Sequence, residues 1–407
     1  MASQAITPGS LMHCIYKDDM YSYTSLSDPV EKCRIIESAY NMSQALRLLP
    51  TITRVDRNNK TCYSLKEIDQ ILISRNLAKN LQKTLPKSRS RNNISRQLAQ
   101  HLKEGTSYRV YRLDIKNFFE SLDVSTIQDA LEKSAVSSQT RLLMINIINE
   151  CNKISQCGLP RGLEFSPAIA ELILQDFDRG IKKNKDVFFY CRYVDDILII
   201  TSGLEASKRF LRYIKNSLPG GLSLNYNKQK IICVDKRSKL DKVVAQFDYL
   251  GYSYIVRDTA TKAFTSVFRE LDVCLSKSRI KKIKTKISRS LYLYSKDGDF
   301  DILKKRIIFL TSNRLMKNKK TNHVIATGLY YNNINLTNGC GLDELDSYLK
   351  KRVLGCSAKR GANSLHSLSL DQKREILKFS FVNGYRNDNY KRFSPNKLGE
   401  IKDAWRY

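Results

Sequence analysis

Two adjacent carboxylates, Asp195 and Asp196, lie between the apolar runs Val187-Phe188-Phe189-Tyr190-Cys191-Arg192 and Ile197-Leu198-Ile199-Ile200. β-Branched and aromatic residues on both sides of a short polar step read as strand, tight turn, strand, with the acids at the turn. Burying both charges is costly, so the tip must stay wet, pair with basic groups or bind a cation. A plain acidic β-turn is the alternative, since Asp favours turns. A third carboxylate, Asp114, sits in the β-rich run Tyr111-Arg112-Leu113-Asp114-Ile115-Lys116-Asn117-Phe118-Phe119, which leads to a helix start at Asp123 or Ser125. Three acids on two strand ends form a hard oxygen set suited to a pair of Mg²⁺ ions, whose other positions go to waters and phosphates. Such a pair activates a hydroxyl and stabilises a departing pyrophosphate in an in-line displacement.

The frame that must hold these acids belongs to a chain of 407 residues, 42% of them hydrophobic, enough for one large domain or two to three ordinary ones. Lys plus Arg number 70 against 40 for Asp plus Glu, a net charge of +30 that calls for a polyanionic partner, most simply nucleic acid. Ten cysteines occur without a C-x-x-C pair or clustered histidines. That spacing speaks against structural zinc and against a disulfide framework, and it fits buried thiols in a reducing compartment. The first residues lack a charged stretch followed by an apolar one, and nowhere do 18 apolar residues run together. The expectation is a cytoplasmic protein with no membrane contact.

Residues 30–49 carry Cys33, Ile36, Ala39 and Leu46 near helical spacing and read as an amphipathic helix ended by Pro50. Thr51-Ile52-Thr53 reads as strand or loop with turn material at Asn58-Asn59, and Ser64 with Glu67 as a capping pair for a second helix. Ser166 as N-cap and Pro167 at the first helical position start another. A helix over 205–218 turns Phe210, Leu211 and Ile214 inward and ends at Pro219-Gly220-Gly221. From Leu271 on, Leu275, Ile280, Ile283, Ile287, Leu291 and Tyr294 fall near one helical face, with Lys277, Arg279, Lys281, Lys282, Lys284, Lys286 and Arg289 filling the rest. Further helices are expected over 301–316 and 342–354. The tail, 356–407, reads as basic and loop-rich, able to dock on a partner or RNA or to cover the preceding helices.

Five ordered blocks within residues 85–255 resemble the palm motifs of the reverse transcriptases. They are Leu113-Asp114-Ile115-Lys116-Asn117-Phe118-Phe119, Gly158-Leu159-Pro160-Arg161-Gly162-Leu163-Glu164-Phe165-Ser166-Pro167, Tyr193-Val194-Asp195-Asp196, Leu224-Asn225-Tyr226-Asn227-Lys228-Gln229-Lys230-Ile231 and Tyr249-Leu250-Gly251-Tyr252. The resemblance implies an α+β right-hand polymerase whose palm sheet carries the Tyr-Val-Asp-Asp hairpin. The expected division is an N-terminal region and fingers over 1–110, a palm over 111–256 with part of the fingers near 130–160, a helical thumb over 257–355, and the basic tail.

By resemblance, Asp114 and Asp195 hold both Mg²⁺ ions, with Mn²⁺ as a possible substitute, the Ile115 carbonyl assisting and Asp196 in support. Phe119 screens out a 2′-hydroxyl by exclusion, with core packing the alternative for Phe118 and Phe119. Lys228 protonates the leaving pyrophosphate or is a surface lysine. Lys87, Arg89 and Arg91, from a basic run over 79–96, supply grips on the triphosphate, whereas a solvated basic face accounts for most of that run. Arg161, Gly162 and Ser166 lie beneath the nascent pair; the family carries Gln at position 161, and Glu164 and Phe165 also depart from its small residues. Gly251 and Tyr252 support the primer end, Tyr193 is a further nucleic-acid contact, and Lys281, Lys282 and Lys284 track a duplex backbone.

The implied activity is RNA-directed DNA synthesis from dNTPs, with an RNA template or non-coding RNA and a DNA product as partners, and a second reverse transcriptase subunit or a homo-oligomer as further options. The compact basic chain looks like a bacterial retron-type or defence-associated enzyme, and the segment Thr327-Gly328-Leu329-Tyr330-Tyr331-Asn332-Asn333, followed by Leu342-Asp343-Glu344-Leu345-Asp346, looks more like the anti-phage defence group. Untemplated or protein-primed DNA synthesis on the same site is a second reading, for which the departures at Arg161 and Glu164 leave room. A non-catalytic RNA-binding scaffold on a degenerate polymerase fold is a third; it has no chemical need for three converging acids.

Overall fold

The computed structural model describes the chain except residues 1–2, 17, 47–48, 58–59, 88, 156–157, 239, 260–267, 318–322, 356–365, 388–389 and 406–407. Cys157, Cys356, Tyr407 and the expected Asn58-Asn59 turn fall outside the described residues. The chain forms two compact units, residues 1–89 with 107–234 and residues 90–106 with 235–407. The segment 90–106, counted above with the fingers, therefore packs with the second unit.

The first unit contains a hairpin of β1 (Ile52–Arg57) and β2 (Lys60–Leu65). Its main sheet is built from β3 (Tyr108–Asp114), β4 (Val187–Tyr193), β5 (Asp196–Thr201) and β6 (Lys230–Val234), antiparallel throughout in the order β4-β5-β3-β6. β5 is central, and Ile197, Leu198, Ile199 and Ile200 are all buried, which is why its sequence is a continuous apolar run rather than an alternation. Each such side chain contributes about 1.5–3 kcal/mol over its exposed state. Ile197 and Ile199 join one core with Leu72 and Leu77 of helix Ile68–Thr84, Leu143 and Ile147 of helix Ser138–Ile154, and Ile169 of helix Ser166–Ile173.

The second unit holds the meander β7 (Lys242–Tyr249), β8 (Tyr252–Asp258) and β9 (Glu270–Leu275) and the hairpin β10 (Asn313–Lys317) and β11 (Val324–Gly328). Its helices include Arg91–His101, Lys277–Asp297, Phe300–Thr311 and Leu342–Gly355. Buried Arg269 binds buried Asp258 at 2.8 Å and donates to the carbonyls of Glu104, Thr106 and Asp235, tying residues 90–106 to the meander.

Several local expectations need correction. Ser64 lies in β2, and the following helix begins only at Ile68, because pairing of Ser64 with Thr53 across the ladder wins over the capping signal. The first long helix is Pro29–Gln44, with Leu46 left exposed at φ +53° beyond its end and Cys33 exposed. Ser166 is inside its helix, where its hydroxyl donates to the Pro160 carbonyl at 2.6 Å. Leu271 and Leu275 belong to β9, and helix Phe300–Thr311 gives way to β10. The tail contains helices Leu370–Leu377, Phe381–Arg386 and Pro395–Asp403 rather than mainly loop. Cys274 and Cys340 form a disulfide, against the expectation of free thiols, because the end of β9 lies against the Cys340 segment, where Leu275 N–H donates to the Cys340 carbonyl. No helix among the described residues is long and apolar enough to cross a membrane.

Candidate active site

The hairpin expected around Asp195-Asp196 is present: β4 ends at Tyr193, β5 starts at Asp196, and the two residues pair across a turn of Val194 and Asp195. Val194 has φ +60°, a conformation that costs a β-branched residue on the order of 1–3 kcal/mol. Arg192 holds it. This guanidinium, 3% exposed, donates to the Val194 carbonyl at 2.9 Å and forks onto Glu171 and Asp178 at 2.8–3.1 Å. The Asp178 carboxylate also accepts from Tyr190. The two acids keep Arg192 charged above its ordinary range despite burial.

Asp114 at the end of β3 stands directly across the ladder from Asp196. Cβ atoms of facing residues in such a ladder lie about 4.5–5.5 Å apart, and like charges so placed repel. Asp195 joins them through its carbonyl, which accepts from the Ile115 N–H at 3.1 Å. Asp114 is buried; Lys228 donates to its Oδ1 at 2.9 Å and Asn225 to its Oδ2 at 3.2 Å. Both donors come from the segment Ser223–Lys228, which is docked by Lys116 N–H on the Ser223 carbonyl (2.9 Å) and Asn225 N–H on the Asp114 carbonyl (2.7 Å). Burial, then the charges of Asp195 and Asp114, push the Asp196 carboxyl above its usual range against the pull of Arg112 and Lys228. The Asp114 hydrogen bond, with help from Asp195 and Asp196, holds the Lys228 ammonium above its ordinary value.

The donor chemistry fits a hard divalent cation: acidic oxygens repelling one another, tempered by the Lys228 ammonium and the Arg112 guanidinium. Among the described residues no three His, Cys, Asp or Glu side chains are already gathered tightly enough to cage an ion.

Phe119 is buried, packed edge-on to Phe118 with centroids 5.6 Å apart. The loop 158–162 lies against it. Leu159 N–H donates to the Phe119 carbonyl at 2.9 Å, and the Arg161 guanidinium covers the ring 4.4 Å from its centroid. Gly158 at φ +63° has no room for a Cβ, which would meet the carbonyl oxygens of Leu122 at 2.5 Å and Phe119 at 2.7 Å. Gly162 at φ +98° is equally tight against the Tyr63 carbonyl at 2.3 Å, so glycine is required where the loop crosses β2. Glu164 pairs with Arg75 at 3.7 Å, and Phe165 is fully buried, so both departures from small residues are absorbed by packing.

Other expected site residues are dispersed. Lys87 and Arg89 are exposed in the first unit, and Tyr193 is exposed beside the turn. Arg91 belongs to the second unit, where its guanidinium faces the Tyr252 ring at 5.4 Å. Leu250 and Gly251 form the two-residue turn before Tyr252, both with positive φ. Arg279, one of the basic residues of the helix Lys277–Asp297, lies over the same ring at 5.9 Å and shares the Asn332 carbonyl with Arg91. Lys281 and Lys284 line a cavity of about 610 Å³ with Lys277, Arg289 and Tyr348, and Lys284 pairs with Glu344 at 2.5 Å. Lys282 is exposed. Sequence reasoning missed Arg192, Asn225 and Glu120; only Asn225 carried a signal, standing within the fourth block beside Lys228.

A family model described as reverse transcriptase (RNA-dependent DNA polymerase) matches residues 57–254. No curated protein matches the chain at a significant level. Among solved structures, apo telomerase from Candida tropicalis truncated from its C-terminal domain is similar at TM-score 0.37 and 10% identity, over 60% of each chain. Telomerase from Candida albicans in complex with a TWJ fragment of telomeric RNA is similar at TM-score 0.36 and 12% identity, over 91% of this chain and 68% of that one. The chain thus spans 60% of the length of the first of these telomerase chains. With its antiparallel sheets, its helices and the motif-bearing hairpin, the chain has an α+β fold of the right-hand polymerase kind, and its residues 57–254 are similar to the reverse transcriptase (RNA-dependent DNA polymerase) domain.

Proposed function

We propose that the protein is an RNA-directed DNA polymerase that adds deoxynucleotides to a primer 3′-end with the help of two divalent cations. The observation that carries this reading is the facing of Asp114 and Asp196 across one rung, with Asp195 at the adjoining turn. Reverse transcriptase domains in general use divalent ions, and Mg²⁺ bound here would activate the hydroxyl and neutralise charge on the phosphates. Asp114 and Asp195 would hold the ions with the Ile115 carbonyl, and Asp196 would add negative charge beside them. Lys228, which donates to Asp114, would serve as the proton donor to the leaving pyrophosphate. Phe119 screens the sugar, with Arg161, Gly162 and Ser166 in the loop and helix beside it. Lys87 and Arg89 serve the triphosphate.

Arg91, Tyr193, Gly251, Tyr252, Lys281, Lys282 and Lys284 are the nucleic-acid contacts in this reading, supported by the +30 net charge. The physiological setting we infer, bacterial anti-phage defence with a non-coding RNA, rests on the likeness of the segments 327–333 and 342–346 to that group. Incubation of the purified protein with a DNA primer, an RNA template, each dNTP and Mg²⁺ tests the activity. Products that copy the template support it. Extension that ignores the template favours untemplated synthesis, and no incorporation with tight RNA binding favours a scaffold.

A further inference from the structure

Glu120 and Arg161 lie 41 residues apart in sequence, yet their side chains form a two-pronged ion pair beside Phe119. Arg161 Nε donates to Glu120 Oε1 at 2.7 Å and Nη2 to Oε2 at 3.0 Å, the fork geometry that fixes a guanidinium plane. That plane lies over the Phe119 ring at 4.4 Å, while Phe118 closes the ring's edge at 5.6 Å. The Arg161 backbone is itself anchored, its carbonyl accepting from Tyr63 N–H at 2.7 Å. The ring is therefore held on one face by a cation that is tied both to β2 and to the residue next to the ring.

We propose that Glu120 and Arg161 are positioning residues that clamp Phe119 and so set how sharply the site rejects ribonucleotides. The proposal rests on the reading of Phe119 as the screen for the sugar. Exclusion by a side chain is only as sharp as that side chain is immobile, because a ring free to turn yields to a hydroxyl at little cost. Phe118 meets the ring edge-on, and the Arg161 guanidinium lies over its face. Replacing Arg161 removes the clamp, and replacing Glu120 frees the guanidinium to leave the ring. Neither change alters the three acids.

The test is single-nucleotide extension of a DNA primer on an RNA template with Mg²⁺, giving kcat and KM for a dNTP and the matching NTP. The variants are Phe119→Ala, Arg161→Ala, Arg161→Lys, Glu120→Gln and the double variant Phe119→Ala/Arg161→Ala, each checked by thermal melting. Arg161→Ala and Glu120→Gln are expected to lose about tenfold of the dNTP preference, the worth of one cation–π contact, through a lower KM for the NTP. Arg161→Lys, which keeps the charge but lacks the planar fork, is expected to lose nearly as much. The double variant should discriminate no worse than Phe119→Ala alone, since a clamp has no effect without its ring. If Phe119→Ala relaxes discrimination but folded Arg161→Ala and Glu120→Gln keep the wild-type ratio, the clamp is overturned. An equal rise of both KM values in Arg161→Ala also overturns it, assigning the side chain to general nucleotide binding. Unchanged discrimination in Phe119→Ala removes the gate itself.

Discussion

Asp114 and Asp196 occupy the same rung of the β3–β5 ladder, where β3 ends and β5 begins. A fold gains nothing from that arrangement, because facing like charges destabilise a ladder and burial makes each charge dearer. The repulsion is tempered by Lys228 and Asn225 on Asp114 and by Arg112 near Asp196. Such a site gains stability when a divalent cation arrives, so Mg²⁺ or Mn²⁺ is expected to raise the melting temperature of the wild type and to do so far less in Asp114→Asn/Asp196→Asn.

Arg192 is expected to decide whether the Asp195 turn keeps its shape. Arg192→Leu takes the guanidinium away from Glu171 and Asp178, leaving Asp178 the Tyr190 hydroxyl, and removes the donor to the Val194 carbonyl, a loss of about 3–5 kcal/mol. Denaturant unfolding should show it. Double replacement of Glu171 and Asp178 by Gln and Asn in the Arg192→Leu background should recover part of the loss; no recovery would mean that packing rather than charge holds the turn.

The hairpin acids and Asp114 were legible because acids bounded by apolar runs are conspicuous and local pairing needs only a turn. The partners that hold them were not. Arg192 reaches Glu171 and Asp178, and Arg161 reaches Glu120, across separations that only the packed sheet and helices define. Leu271, Val273 and Leu275 alternate as a strand, yet Leu271 and Leu275 also fit the helical spacing of the next segment, so the start of that helix was placed too early. Nothing local marks residues 90–106 for the second unit; Arg269, buried among distant carbonyls, ties them there.

The second unit is expected to lose stability in acid through Asp258. Burial raises its carboxyl, but hydrogen bonds from Ser238 and the charge of Arg269 overcome that and leave it below the usual carboxylate range. A depressed folded value means the stabilisation is fully present above the unfolded carboxylate range and disappears as pH falls through the folded value. Comparing melts of wild type and Asp258→Asn from neutral to acid pH should show a gap that closes as the medium becomes acidic; a constant gap would exclude this linkage.

Cys274 and Cys340 are expected to resist alkylation in the unfolded, unreduced protein and to react after reduction. Cys274→Ser should destabilise the second unit by about 2–4 kcal/mol. Full alkylation without reductant would show that the purified protein keeps these thiols free.

The most direct measurement pairs primer extension with nucleic-acid binding for Asp195→Asn/Asp196→Asn. Removing two acids from the site while keeping its shape should cut incorporation by at least about a thousandfold and leave affinity for the primer–template within about twofold, since phosphate contacts carry that affinity. Incorporation equal to wild type in the double variant would contradict the assignment of these carboxylates to catalysis.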